Sequence, residues 1–298
     1  MFDRVTLRSD LLDARGALVA RRGAVISVGA VLDAARGARP GARTRLADSD
    51  LARGARAVLA DATYRHLFRP AALPAVERAL LAIALPGELF AELAALAAWD
   101  PARQRHALTT AAVAARMLVA AVGDAPALPD VAAAALLHDL GMRHAAPHLA
   151  GNGDDLEPQE ILDVASHPLV GARLLAAALG AHPAVEAALA HHWRGGHGYP
   201  ALPRPPSRSA EVIAVASAFA ALTQPRAYRS APYDARGAVD VLLAQAEARR
   251  ADPGTVRLLV HALRGGEGPL CALRFGRRLS DEPVVNRHSS VAPTRSAL

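Results

Sequence analysis

The chain has 298 residues, of which 52% are hydrophobic but only 4% aromatic, and its formal net charge is +6 at pH 7. This length allows one or two domains, and the dominance of Ala, Leu and Val predicts a mainly helical protein with a core of small side chains. Glycine and proline recur without a period, which excludes a collagen-like or low-complexity chain.

The basic residues of the chain are all arginines. A coding bias toward Arg and Ala explains this composition, and so does a surface suited to anionic partners, because guanidinium forks match phosphate oxygens. No basic run alternates with aromatic residues, so we expect no nucleic-acid polymer as a partner.

Cysteine content and apolar patterning indicate the cellular compartment. The single cysteine, Cys271, excludes an internal disulfide and fits a reducing environment. The first residues are too charged for a signal peptide. Charged residues or proline interrupt the apolar stretches before they reach the roughly 18 residues of a membrane helix. We therefore expect a cytoplasmic protein of bacterial type without a membrane span.

Residues 1–50 differ in pattern from the rest of the chain. Short β-type runs at 4–7, 17–20 and 24–28 are separated by the turn signals "DARG" and "RRG". A short helix is predicted over 28–37. This segment is interpreted as a small β-containing N-terminal module.

From residue 51 onward the apolar residues recur at helical spacing. We predict a helical linker over 51–84, a helical domain over 85–276, and a disordered tail over 277–298, where the sequence is polar and has little periodicity. Asp130 is a predicted N-cap. The predicted helices are 51–68, 73–85, 87–99, 105–122, 131–142, two helices within 157–179 that break at His167–Pro168, 184–193, 210–223, 235–250 and 253–266.

Histidines are concentrated at the predicted apolar helices. A lone histidine there is more often a hydrogen-bonded core residue than a metal ligand. Five of them are harder to explain in this way, because buried imidazoles need partners and one metal ion partners several rings at once. These five are His106, His138, His167, His191 and His192.

Asp139 directly follows His138 at the end of a predicted apolar helix. Burying this carboxylate without a cation would cost several kcal/mol, and a metal ion between the two side chains removes that cost. Imidazole and carboxylate ligands without a thiolate suit Fe, Mn, Zn or Co.

Four motifs occur in a fixed order, namely "HDLG", "HPLVGARLL", "HHWRGGHGYP" and "LTQPRAYR". With them the chain resembles, over about residues 85–250, the HD-GYP branch of the HD phosphohydrolase superfamily. The "GYP" at 198–200 after a double histidine is specific, whereas "HD" alone would be weak. The resemblance implies a mainly α fold, an HD-type helical bundle preceded by a small β-containing module.

The resemblance also implies a site that holds two divalent metals, with Fe or Mn favoured over Zn. Asp139 is expected to bridge the two metals and to take part in catalysis, in a centre that activates a water for attack on a phosphodiester. The implied substrate is a cyclic dinucleotide such as cyclic di-GMP, or another phosphodiester. The implied metal residues are His106, His138, Asp139, His167, His191 and His192.

A second group of residues is implied to bind the substrate. Arg226, Tyr228 and Arg229 match the family's "RPYR" segment and are expected to hold phosphate or guanine, together with Gly198 and Tyr199 of the "GYP" tripeptide. For the arginines, a capped helix end with solvated side chains is an equally good interpretation.

The chain departs from the family pattern in three features. Ser217 replaces an aspartate ligand, Met142 replaces a lysine thought to contact the scissile phosphate, and the loop "HHWRGGHGYP" is shorter than the family form and lacks its usual Glu and Asp. Ala102 also stands where three-metal members have a glutamate ligand. We therefore expect weak activity. The alternative is a catalytically degenerate domain that binds a nucleotide or a signalling protein partner. A nucleotide monophosphate hydrolase is a third reading, disfavoured because that site needs the carboxylate replaced by Ser217.

Overall fold

A computed structural model of the chain describes residues 3–149, 156–226, 229 and 231–266. Helices dominate these residues, and each strand has two or three residues. The predicted fold class, a mainly α helical bundle with a small β-containing N-terminal module, is confirmed. The predicted tail over 277–298 lies outside the described residues.

The N-terminal module consists of two antiparallel strand pairs and one helix. They are β1 (Arg4–Thr6), β2 (Leu11–Leu12), β3 (Leu18–Ala20), β4 (Val25–Ser27) and α1 (Val28–Gly37). β1 pairs with β4, and β2 pairs with β3. The Ser27 hydroxyl accepts from the Ala30 amide and so caps α1. The structure therefore has a strand in each of the three β-type runs and also the short strand β2.

The segment between the module and the bundle is held by a third strand pair. β5 (Arg43–Arg45) pairs antiparallel with β6 (Ala84–Pro86). Helices α2 (Leu51–Leu59) and α3 (Leu73–Leu81) lie between them in the chain. Both helices are shorter than predicted, because Asp61 caps a 3-10 turn after α2 and the residues after α3 join β6.

Nine helices follow within the described residues, and α5 lies at their centre. They are α4 (Gly87–Trp99), α5 (Pro101–Val122), α6 (Leu128–Leu137), α7 (Met142–Ala145), α8 (Pro158–Leu179), α9 (Pro183–Ala190), α10 (Arg208–Thr223), α11 (Ala235–Glu247) and α12 (Pro253–Leu263). The middle of α5 is fully buried and rich in alanine, so neighbouring helices can approach its backbone closely. Its buried Arg116 donates to the carbonyls of Leu67 and Ala262.

The predicted break at His167–Pro168 is wrong, because α8 continues through Pro168. Proline has no N–H, so the carbonyl four residues earlier, on Val164, loses its helical donor. The Nδ1–H of His167 donates to that carbonyl instead, at 2.5 Å. This bond gives the Val164 carbonyl a partner and also fixes the orientation of the His167 ring.

Helix α8 is long and apolar enough to cross a membrane by length and composition alone. More than half of its most apolar window, 56%, is buried inside the protein, which is typical of a core helix.

The predicted helix over 131–142 is also different in the structure. α6 begins at Leu128, and Asp130 lies in its first turn rather than at the N-cap. The helix ends at Leu137, and residues 138–141 form turns before the short α7. His138 and Asp139 therefore stand at the end of a helix, where their side chains can turn toward α5 and α8.

Candidate metal centre

The structure brings the six predicted metal residues together in one largely buried cluster. Their positions are His106 on α5, His138 and Asp139 after α6, His167 on α8, and His191 and His192 after α9. Neighbouring imidazole rings have centroids 4.2–5.3 Å apart. We call His167, His191, His192 and Asp139 the His167 half of the cluster, and His106, His138 and Ser217 the His106 half.

Three of the rings have a defined tautomer. The Nδ1–H of His138 donates to the carbonyl of Ala135 at 2.7 Å, and the Nδ1–H of His191 donates to that of Ala188 at 2.9 Å. His167 does the same through Val164. A carbonyl only accepts, so each ring carries its proton on Nδ1 and presents a lone pair on Nε2.

In the His167 half these lone pairs face one another. Nε2 of His167 lies 2.9 Å from Nε2 of His191 and 3.2 Å from Oδ1 of Asp139. Two neutral nitrogens and a carboxylate oxygen are all acceptors, so they need a cation between or beside them. The ligand atoms of His167, His191 and His192 also lie within 4.8 Å of one another, so these residues fit a divalent metal.

The imidazoles are held in the neutral form. Burial lowers the pKa of all five rings below the usual histidine value, and it lowers the pKa of His167 to about 4 despite the nearby Asp139 charge. The positive charge of Arg226 adds to this effect on His106. Neutral imidazole is the form that binds metals.

The His106 half is arranged differently. The Ser217 hydroxyl oxygen lies 3.0 Å from Nε2 of His138 and 3.3 Å from Nε2 of His106. Because His138 presents a lone pair, the hydroxyl donates to His138 and accepts from a His106 ring protonated on Nε2. Asp139 completes a second group, with ligand atoms of His106, His138 and Asp139 within 4.8 Å of one another. The group fits a metal only if His106 changes tautomer.

Asp139 connects the cluster to an arginine that the sequence analysis did not identify. Its Oδ2 accepts from Nη1 of Arg103 at 3.1 Å. Burial alone would raise the pKa of Asp139, but His167, which is protonated only in acid, and the permanent charge of Arg103 lower it below its usual range. Arg103 stands three residues before His106 on the same helix, and this one-turn spacing was the available signal.

The "GYP" residues support the cluster from one side. The Tyr199 ring stacks on His192 with centroids 4.7 Å apart and planes at 18°, and Tyr199 is buried. Gly198 has a φ of +104°, and a Cβ there would lie 2.1 Å from the His192 carbonyl oxygen. Both residues contact His192 rather than an open surface, so their described role is to position a predicted metal ligand.

The predicted substrate arginines separate in the structure. Arg226 is near enough for its charge to lower the pKa of His106 and His138. Arg229 donates to the carbonyls of Ala221 and Leu222 at 3.1 and 2.7 Å, which are the contacts of a helix C-cap. Tyr228 lies outside the described residues.

Close packing of two glycines brings α8 against the turn that follows Asp139. A Cβ on Gly141 would lie 2.1 Å from the carbonyl oxygen of His167, and a Cβ on Gly171 would lie 2.9 Å from the Gly141 amide nitrogen. The two backbones are therefore nearly in contact, and this contact sets the separation of Asp139 and His167.

The turn is also held on its other side by a buried ion cluster. Glu92, on α4, has no exposed surface and accepts from Arg143 at 2.6 Å and from His144 at 3.0 Å. Sequence reasoning missed Glu92, although a glutamate within the apolar stretch 87–99 was a visible signal. Met142, which directly precedes Arg143 in the chain, is buried against Ala146 and Leu149.

A cavity of about 220 Å³ adjoins the cluster at His191. Its wall includes the side chains of Trp193 and Arg194 and residues 249–253. Arg194 donates to Gln245 at 3.2 Å across this space. The carboxylates of Glu211 and Asp252 also line this cavity, so its wall carries charges of both signs.

Comparisons with known proteins agree with the motifs. The sequence model of the HD domain matches residues 88–255. The chain is similar to the HD domain of the L. monocytogenes phosphodiesterase PgpH, with 16% identity, a TM-score of 0.46, and coverage of 58% of this chain and 95% of that one. The same domain in complex with cyclic-di-AMP gives 17% identity, a TM-score of 0.46, and coverage of 58% and 93%.

A third solved structure is Bd1817, an HDG"Y"P protein from Bdellovibrio bacteriovorus. It gives 16% identity and a TM-score of 0.47, with coverage of 72% of this chain and 70% of that one. No curated protein matches the chain.

Proposed function

The chain belongs to the HD domain family, and from this premise we propose that it is a metal-dependent phosphohydrolase that cleaves a phosphodiester. One observation carries the proposal, namely the three acceptor atoms of His167, His191 and Asp139 that face one another within the protein. Nothing in a packed helical core requires such an arrangement, since it is unfavourable without a cation.

The residues of the His167 half would hold one divalent metal, and His106, His138 and Asp139 would hold a second. The donor set is nitrogen and oxygen without sulfur, which suits Fe, Mn, Zn or Co, and the resemblance to the HD-GYP branch favours Fe or Mn. Bound metals supply Lewis acidity, which lowers the pKa of an attacking water and neutralises charge on the phosphate. Around them, the protein keeps Asp139 ionised and the imidazoles neutral at pH 7.

The substrate class that we propose is a cyclic dinucleotide, with cyclic di-GMP as the first candidate. Arg226 and Arg103 place positive charge beside the cluster, which suits a phosphate group. The cavity next to His191 can take a base or a second phosphate. The resemblance of the "GYP" segment to cyclic di-GMP phosphodiesterases supports the same class.

The test is a turnover assay on protein purified without oxygen and loaded with Fe(II) or Mn(II). Cyclic di-GMP, cyclic di-AMP and the generic diester bis(p-nitrophenyl) phosphate are offered in parallel, with chelator-treated protein as the control. We expect metal-dependent hydrolysis of at least one cyclic dinucleotide. The absence of metal-dependent turnover of all three diesters would refute the proposal.

A second candidate function is a binding domain that has lost catalysis. It is favoured by the Ser217 hydroxyl, which already pairs with Nε2 of His106 and Nε2 of His138, and by the burial of Met142. Metal analysis of the purified protein discriminates between the two. Two metals per chain support the enzyme, and no metal supports a module that binds a nucleotide or a protein partner. With one metal, the turnover assay decides.

A further inference from the structure

Residues 140–149, the described part of the segment that follows Asp139, direct no side-chain cation to the cluster in the contacts of Met142 and Arg143. Met142 is buried in a small apolar group with Ala146 and Leu149. The guanidinium of Arg143, the next residue, donates to the buried carboxylate of Glu92 at 2.6 Å. This ion pair directs Arg143 toward α4. A phosphate group that approaches Asp139 must therefore find its positive partner elsewhere in the fold.

The guanidinium of Arg103 contacts the cluster directly. Its Nη1 lies 3.1 Å from Oδ2 of Asp139, and its Nε lies 3.3 Å from Oδ2 of Asp100. The guanidinium carbon is 5.7 Å from the centroid of the Trp99 ring. The side chain is one-fifth exposed, so it reaches from solvent to the cluster.

Three features hold this guanidinium in place. Asp100 caps α5 by accepting from the amides of Ala102 and Arg103, so its carboxylate has a fixed position beside the arginine. The Trp99 ring adds a cation–π contact. Because a guanidinium carries five N–H donors in one plane, it can keep its ion pair with Asp100 and still present two donors to an anion.

We propose that Arg103 binds the phosphate of the substrate at the metal centre. The inference rests on the proposed function and adds a residue to it. With a cation bound at Asp139, the guanidinium would be repelled from that carboxylate. Arg103 would then exchange its bond to Asp139 for a charge-assisted bond to a phosphate oxygen, while Asp100 would continue to hold the side chain near the site.

The experiment measures the binding of inorganic phosphate to Mn-loaded protein by calorimetry, with the metal content determined in the same samples. The variants are Arg103→Met, which removes the charge, and Arg103→Lys, which keeps the charge without the fork. Arg105→Met is the matched control, because Arg105 lies on the same helix, is mostly exposed and pairs with Asp61. Melting temperatures establish that each variant is folded.

We expect Arg103→Met to bind phosphate about tenfold more weakly or worse, as for a lost charged hydrogen bond, with its metal content unchanged. Arg103→Lys should recover part of the affinity, and Arg105→Met should match the wild type. Phosphate affinity within twofold of the wild type in Arg103→Met would overturn the inference alone. Loss of metal in Arg103→Met would also overturn it, because the arginine would then act by holding Asp139. Wild-type protein that takes up no metal would refute the proposed function and the inference together.

Discussion

The two halves of the cluster are both built around buried histidines but differ in what lies beside the imidazoles. In the His167 half, nitrogen and oxygen lone pairs face one another 2.9–3.2 Å apart. In the His106 half, the Ser217 hydroxyl lies between two imidazoles and bonds to both. The first arrangement needs a cation and the second does not, although both are buried to a similar degree.

The number of imidazoles in a cluster is therefore a poor guide to its metal affinity. The tautomer of each ring and the chemistry of the group that lies between the rings determine that affinity. A hydroxyl that can donate and accept makes a neutral hydrogen-bonded chain, whereas a carboxylate in its place would add charge and a further ligand. We therefore expect one tightly held metal in the His167 half and a weaker one in the His106 half.

The largest expected effect comes from removing one ligand in each half separately. His191→Ala should weaken the tight metal by about 100-fold or more, since even residues behind the ligands are worth 10- to 100-fold. His106→Ala should leave that metal in place. Metal content after dialysis against graded chelator measures both. Equal metal loss in the two variants would show that the two halves do not differ in metal affinity.

Acid should destabilise the metal-free protein through the buried rings. The folded-state pKa of His167 is about 4, below the unfolded value of about 6.5. The unfolded chain therefore binds more protons between these values, and stability falls as the pH decreases through that window and is constant above it. His167 alone should lower the free energy of unfolding by about 2 kcal/mol between pH 7.5 and pH 5.

Urea denaturation of metal-free protein at several pH values measures this effect. The control is His167→Gln, which has a side chain of similar size that does not titrate. Its unfolding free energy should depend less steeply on pH than that of the wild type. Identical pH dependence in the two proteins would show that His167 is not held neutral.

A smaller gain is expected from Ser217→Asp, which puts a carboxylate between His106 and His138. The new charge should tighten the second metal by about tenfold, equivalent to about 1.4 kcal/mol. Ser217→Asn is the matched control, similar in shape but neutral. Titration with Mn(II) followed by electron paramagnetic resonance counts the bound ions. An affinity for the second Mn(II) that is the same in all three proteins would contradict the idea that Ser217 limits binding at the His106 half.

The helical part of the fold was largely predictable from the sequence. Periodic apolar stretches gave α4 with the correct bounds, and the turn signals located three of the N-terminal strands. The errors have local causes. Strand β5 reads Arg43-Thr44-Arg45 and shows no apolar alternation, so nothing in its sequence indicates pairing with β6. Pro168 indicates a break, and the sequence does not show that the His167 ring pairs with the carbonyl that the proline leaves without a helical donor.

The candidate site was predictable in its membership but not in its arrangement. Residue type and spacing selected the histidines and Asp139, because few other roles account for so many polar groups in apolar helices. Sequence cannot give a tautomer, since that depends on which carbonyl lies next to each Nδ1. The sequence also could not show that Arg103, rather than Arg143, contacts Asp139. Arg143 instead pairs with Glu92, because α4 and α7 bring these two side chains together.

The crossing of Gly141 and Gly171 has a consequence for how this protein can vary. Elsewhere in the interior, a larger or smaller side chain can be absorbed when its neighbours change rotamer. At Gly141 and Gly171 the contact is between two backbones, so no side chain is present that could change its rotamer. The gap between the turn and α8 is thus a fixed length, and an added methyl group would widen it. Substitutions across the rest of the bundle can accumulate while this one spacing, and the reach of Asp139 toward His167, stays constant.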